Sequence, residues 1–295
     1  MNFLYNYVVG DKMLVSSEWK DYKILKASKG EKLEDWNGTL LLRPDPVVTW
    51  DMGDFSEYKI NAKYHRSNTG GGYWENILNT KDSWVVSYKN LKFLVKEMGF
   101  KHTGLFPEQA TNWDYEIEKI KSSKRQVKIL NLFSYTGAAT VACLSAGASV
   151  VQVDSSKGMT DWAKENVKLN HLEDKQVRYL VDDVVKFVKR EIRRGNKYDG
   201  IIMDPPSYGR GANGEVWSID TDLEDLIKLC KEILSDNFIF FIVNTYSINL
   251  PIVSLENILK LNFKNQKIIV DDLCLPIENS SLYLSCGITG RCENE

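Results

Sequence analysis

No apolar run in this 295-residue chain approaches the roughly 18 residues that a membrane-spanning helix requires, so a helical membrane protein is not expected. The opening "MNFLYNYVVGDKMLV" lacks the basic region and the longer apolar run of a secretory leader. A cytoplasmic protein is the simplest expectation. The five cysteines form no CxxC pair, and the three histidines, His65, His102 and His171, stand far apart. Reduced, packed thiols and the absence of a metal site follow. Charge of one sign is also missing: the net charge is −2, unlike that of a general nucleic-acid binder. A structured RNA met by a local patch stays open.

What is present divides in two. From Trp19 to about Phe100 the chain is rich in aromatics, with short β-prone runs such as "TLLLRP", "PVVTW", "YKINAKYH" and "SWVVSY". Pro44, Pro46, Gly53 and the glycines at 70–72 punctuate them, which predicts a small antiparallel β unit. Beyond "GFKHTGLFPEQATNWDY", "YEIEKI" reads as a short helix. Strand-like "VKILNLF", "SVVQVD", "QVRYLV", "YDGIIMD" and "NFIFFIVNTY" then alternate with helical stretches starting near Gly137, Lys157, Asp183 and Asp220. That alternation predicts an α/β fold with a doubly wound, mostly parallel sheet. The tail adds a helix, "PIVSLENILKL", and a hairpin of "QKIIVDDL" with "SLYLSCGI", which would end the sheet on one antiparallel strand. The expected division is a β-rich domain over 1–104, on the substrate side, and a catalytic domain over 105–295.

Ligands of open parallel sheets bind beyond the carboxyl ends of the strands. The first predicted strand delivers "NLFSYTGAAT" there, the second Asp154 and Ser155, the third Asp182 and Asp183, the fourth Asp204 followed by Pro205 and Pro206. Each has a plain alternative: "SYTGAA" is equally a tight turn, Asp154 a solvated strand end, and Asp183 a helix cap. Together their spacing suits one nucleoside ligand, with an acid about 20 residues past the glycine turn placed for ribose hydroxyls. A dinucleotide pyrophosphate would need G-x-G-x-x-G, and "FSYTGAATVA" holds a single glycine. S-adenosylmethionine, which has no phosphate, fits this turn better than a nicotinamide dinucleotide.

"NLFSYTGAATVACLSAGA", "VVQVDSSKGMTDWAKENVKLN", "RYLVDDVVKFV" and "YDGIIMDPPSYGRG" together resemble class I S-adenosylmethionine-dependent methyltransferases, in particular the group of 23S ribosomal-RNA methyltransferases with NLFSYTG and DPP-x-[FY] motifs. The resemblance covers about residues 100–295. Upstream, "DYKILKASKGEKLEDWNGTLLLRPDPVVTW" is similar to the small β domain of a shorter branch that has no extra N-terminal RNA-binding module. The resemblance implies a cofactor site of Phe106, Gln109, Asn131, Phe133, Ser134, Tyr135, Thr136, Gly137, Asp154, Ser155, Asp182, Asp183 and Asp204. It implies a methyl-transfer site of Asp204, Pro205, Pro206 and Tyr208.

Methyl transfer is an in-line displacement, so alignment of the nucleophile matters most. Asp204, held by two prolines, is suited to accept hydrogen bonds from a target amine; Tyr208 can stack on a planar substrate and "GRGANG" can close over it. Cytosine-5 methylation requires a thiolate, and neither "DPPSYG" nor "VNTYSIN" has a cysteine. A ribosomal-RNA nitrogen, guanine N7 among them, is therefore the expected acceptor, although Ser207 intervenes where amine-methylating enzymes place their aromatic. A small-molecule or protein acceptor, or a non-catalytic cofactor-binding adapter, are the alternatives. The basic runs 119–128 and 186–197 lead into strands from the amino edge, away from the site, and read as solvated faces. Arg210, Trp217, Tyr64, Arg66, Tyr73 and Trp74 are the better substrate contacts. The oligomeric state is left open.

Overall fold

The computed structural model describes residues 12–67, 71–210, 216–247 and 249–294. The first elements are β1 (Met13–Val15), β2 (Tyr22–Ser28), β3 (Glu31–Trp36), β4 (Thr39–Pro44), β5 (Ala62–Arg66), β6 (Gly72–Asn76), β7 (Trp84–Tyr88) and β8 (Leu91–Val95). β2 to β6 form a five-stranded sheet in chain order, antiparallel except between β4 and β5. β7 and β8 are a separate hairpin. "PVVTW" forms no strand; it turns, with Val48 N–H donating to Asp45 O at 3.1 Å.

A 3₁₀ turn, Pro107–Gln109, leads into α1 (Ala110–Ser122), longer than "YEIEKI" alone suggests. β9 (Lys128–Leu132), α2 (Ala138–Ser145), β10 (Ser149–Asp154), α3 (Lys157–Leu169), β11 (Val177–Val181), α4 (Val184–Arg194) and β12 (Gly200–Met203) follow. β13 (Tyr208–Arg210) and β14 (Val216–Ser218) make a small ribbon before α5 (Ile219–Glu232), β15 (Phe240–Thr245), α6 (Ile252–Asn262), β16 (Lys267–Pro276) and β17 (Tyr283–Glu293). The large sheet has the order β1-β16-β17-β15-β12-β9-β10-β11. β12 and β15 are buried at every position. Helices cover both faces of the sheet centre, so strands there need apolar residues on both sides.

Two expectations change. β17 is antiparallel to both neighbours, but it lies inside the sheet: β16 continues beyond it, and β1 pairs in parallel with Asp272–Cys274 outside that. Residues 13–15, expected in the β-rich part, are thus a strand of the catalytic sheet; three residues are too few to show a period. The β unit is also fastened to the rest. Ile24 bridges to Ile277, and Glu278 N–H donates to Ile24 O at 2.8 Å. Asn166 of α3 and Asn170 just after it bond the β8 backbone at Leu94 and Lys92, and Trp162 Nε1 donates to Leu94 O at 3.0 Å. One apolar core runs from Trp36 and Val86 through Trp113 to Ile129 and Phe240. Among the described residues, no helix is long and apolar enough to cross a membrane, and no cluster of three metal-ligating side chains occurs.

Candidate functional site

β9, β10 and β12 end side by side, and their carboxyl edge carries the site. The loop after β9 turns through unusual backbone: Phe133 (φ 54°), Tyr135 (φ 50°) and Gly137 (φ 79°) are all left-handed. Such conformations are costly for side chains other than glycine and concentrate at functional turns. Gly137 is required twice over, because a Cβ there would sit 2.7 Å from the Ala163 Cβ on α3. Ser134 hydroxyl and N–H both donate to Val153 O at 3.2 Å, and the Thr136 hydroxyl donates to Gly104 O at 2.6 Å. The loop is therefore pinned between β10 and the segment before α1.

Asp154 closes this arrangement. Its two oxygens accept from the Tyr135 and Ser156 backbone N–H groups, each at 2.8 Å, which fixes the carboxylate at the strand tip. Burial raises its pKa from the ordinary value. Asp182 N–H donates to Asp154 O at 3.0 Å, so the ends of β10 and β11 adjoin. The Asp182 side chain pairs with Arg190 of α4, whereas Asp183 caps that helix by accepting from Lys186 N–H at 2.7 Å. Ser155 is exposed in the next turn.

A cavity with about 460 Å³ of atom-free space, including its open mouth, lies before this edge. Phe106, Gln109, Asn131, Phe133, Ser134, Tyr135, Thr136 and Asp204 line it. Gly137, Asp154, Ser155, Asp182 and Asp183 do not line it; they hold or flank the loops that do. Gly104, Trp113, Glu116 and Asn244 line it as well, and were not foreseen. Gln109 and Asn244 belong to a closed polar network: Asn112 Nδ2 donates to Gln109 Oε1 at 2.8 Å and to Asn244 Oδ1 at 3.0 Å, and Arg291 Nε donates to Asn112 Oδ1 at 2.9 Å. A polar residue two or three places into an amphipathic helix gives no hint of such partners in sequence.

Asp204 follows β12. Among the described residues no donor bonds its carboxyl, and burial, then the charge of Glu108, push its pKa up to about 7. Pro205 is buried and Pro206 exposed; the Pro206 carbonyl accepts from Trp217 Nε1 at 2.7 Å, which ties the motif to the β13–β14 ribbon. Tyr208, 57% exposed, stands on that ribbon. Residues 211–215 of the glycine-rich segment, and the Arg210 side chain, lie outside the described residues.

The expected substrate contacts separate. Tyr64 is buried, edge-on to Trp74 at 5.4 Å, and the Trp74 indole N–H donates to Met98 O, so both serve packing. Tyr73 is open to solvent and stacks on His65 at 5.1 Å. "HRSNTGGGYW" contributes the paired strands of a hairpin, His65 opposite Tyr73; 68–70 lie outside the described residues. Of the basic runs, Lys119 pairs with Glu293, Arg125 with Asp199 and Arg194 with Glu191.

The site fits S-adenosylmethionine: a carboxylate oriented by two backbone donors at the second strand tip, a pinned loop with little glycine, and beyond them an acid with no donor among the described residues. Comparison with known proteins agrees. The family profile described as S-adenosylmethionine-dependent methyltransferase matches residues 41–258. The chain is 30% identical over 207 residues to the ribosomal RNA large subunit methyltransferase K/L of Syntrophotalea carbinolica, covering 68% of this chain and 28% of that protein. It is 28% identical over 227 residues to the ribosomal RNA large subunit methyltransferase K of Neisseria meningitidis, covering 73% and 63%. The chain thus spans between about a quarter and two thirds of the length of these relatives. The crystal structure of an S-adenosylmethionine-dependent methyltransferase from Agrobacterium tumefaciens superposes with a TM-score of 0.91 at 31% identity, covering 96% of this chain and 93% of that one. Sheet order, strand-tip acids and family profile converge: the chain belongs to the S-adenosylmethionine-dependent methyltransferases.

Proposed function

We propose that this methyltransferase acts on a nitrogen of ribosomal RNA, with Asp204 accepting a hydrogen bond, and then the proton, from the target. S-adenosylmethionine, when bound, supplies an activated methyl group on a sulfonium whose departure leaves a neutral thioether. The chain has then to align the nucleophile and manage its proton. The observation that carries the reading is the Asp204 carboxyl: it lines the cavity and has no bonding partner among the described residues. An acid with no donor among the described residues is available to a substrate N–H. Asp154 would accept from the ribose hydroxyls, Phe106 and Phe133 would pack on the cofactor, and Tyr208 would stack on the target base.

Cytosine C5 is disfavoured on chemical grounds. A thiol does stand near: Cys286 of β17 feels the charge of Glu108. Burial and that charge hold it well above the usual thiol range, so it is protonated and weakly nucleophilic. The RNA half of the proposal draws on the relatives' names. Nucleoside mass spectrometry of rRNA from cells lacking the gene is the test. Loss of one N-methylated nucleoside, restored by the wild type and not by Asp204→Asn, is expected. Unchanged rRNA, or loss of a 5-methylcytosine, overturns it.

A further inference from the structure

The strand-tip acids leave the α1 side of the cavity without a role. Trp113 and Glu116 of α1, Asn131 of β9, and Ala138 and Ala139 of α2 line the cavity there. Glu116 is only 1% exposed. Its Oε2 accepts from the Cys143 thiol of α2 at 3.7 Å, whereas its Oε1 is buried and meets no donor among the described residues. Asn131 Nδ2 donates to the Thr140 hydroxyl at 3.0 Å. Thr140 and Cys143 lie three residues apart on one face of α2, so Asn131 and Glu116 meet that helix side by side. A buried carboxyl oxygen without a donor is costly to keep, and this one belongs to a residue that borders the cofactor cavity.

We propose that Glu116 receives the α-ammonium group at the methionyl end of S-adenosylmethionine.

A sulfonium carries three arms. With the ribose at Asp154 and the methyl directed to Asp204, the methionyl arm is left with the α1 side. Its ammonium, once out of water, needs an anion. Among the described residues that line the cavity, Glu116 and Asp204 are the acids, and Asp204 is assigned to the target. The carboxylate of the same arm suits the first turn of α2, where Ala138 and Ala139 precede the first helical bond, from Val141 N–H to Gly137 O. Burial holds the Glu116 carboxyl well above the usual carboxylate range. Arg291 of β17 and the Cys143 thiol favour its anion, and Asp114 of α1 opposes it. Arg291 is engaged with Asn112 Oδ1 and Thr111 O, so it does not neutralise the acid at close range. The carboxyl is therefore protonated at neutral pH until a cation stands beside it. As the ammonium pairs with it, the carboxyl loses its proton to solvent and the ammonium keeps its own. Cofactor uptake thus carries release of a proton.

The test is titration calorimetry of the whole chain at neutral pH, in two buffers of different ionisation heat. The ligands are S-adenosylhomocysteine and methylthioadenosine, both neutral at sulfur; the second lacks the amino-acid arm. The wild type is expected to release about one proton with the first ligand and none with the second. Glu116→Gln, of the same size, should abolish the release, weaken the first ligand by about tenfold or more and leave the second unchanged. The same proton count with both ligands in the wild type overturns the proposal, and that comparison stands even where the variant fails to fold. Equal weakening of both ligands, in a variant that melts as the wild type does, overturns it as well. The placement rests on the ribose reading of Asp154, and the two fail differently: Asp154→Ala should weaken both ligands alike.

Discussion

Asp154 Oδ2 accepts the Tyr135 backbone N–H at 2.8 Å, so the acid at the tip of the second catalytic strand and the loop after the first hold each other in place. An acid so fixed presents its remaining lone pairs to a ligand without first paying orientation entropy. Asp154→Ala therefore removes the loop anchor and, on the proposed reading, a ribose acceptor. Titration calorimetry with S-adenosylmethionine is expected to show affinity weakened by about tenfold or more, the scale of a hydrogen bond to a charged group. Undiminished affinity would refute the ribose role.

Asp204→Asn keeps the shape of the side chain and loses the capacity to take a proton. With rRNA from cells lacking the gene as acceptor, transfer should slow by about 10²- to 10⁴-fold, the usual contribution of a positioned base. Cofactor affinity should change little, and calorimetry on the same variant separates the two effects.

Gly137→Ala tests the turn. A φ of 79° is unfavourable for alanine, and the new methyl would press on Ala163 of α3. The left-handed backbone alone costs about 1–2 kcal/mol, so thermal unfolding should shift clearly downward. Gly195, left-handed at φ 65° with nothing near its Cβ position, is the control: Gly195→Ala incurs the backbone cost without the collision and should lose less.

His102 gives a pH dependence whose sign can be worked out. Burial, then Arg43 and Lys101, depress its pKa from 6.5 to about 3. Below 6.5 the unfolded chain binds a proton that the folded one refuses, so this group's stability is present above 6.5 and lost as pH falls toward 3. Asp204, raised from 3.8 to about 7, acts oppositely: its contribution is present below 3.8 and lost as pH rises through about 7. Melting curves of His102→Asn should therefore show a shallower loss on acidification than the wild type.

The buried Glu34–Arg43 pair joins β3 to β4. Arg43 bonds both Glu34 oxygens, and Tyr22 hydroxyl donates to the same carboxylate at 2.8 Å. Removing one member strands the other, so Arg43→Met is expected to destabilise by about 3–5 kcal/mol, readable by denaturant unfolding.

The strands, their order of delivery and the tip residues Asp154 and Asp204 were legible because each lies within a local pattern: an apolar run, then an acid, then a helix. Phe106 and Gln109 came from family resemblance, and they do line the cavity. Tyr246 and Asn112 were not legible, because their meaning lies in partners more than a hundred positions away, as in the Gln109–Tyr246 and Asn112–Asn244 bonds. Tyr64 and Trp74 misled for the opposite reason: aromatics near a glycine-rich stretch resemble a binding face, yet here they pack on one another. Met13–Val15 carries no period at all, and only the exposed edge of β16 reveals where it pairs.

The bonds from Asn166 and Asn170 to the β8 backbone, with the apolar cluster that the β unit shares with the large sheet, have a thermodynamic corollary. A β unit so riveted to the helix that follows Asp154 cannot melt by itself while the nucleoside site survives. Calorimetry should then record one endotherm, which a bound adenosyl ligand moves upward as a whole.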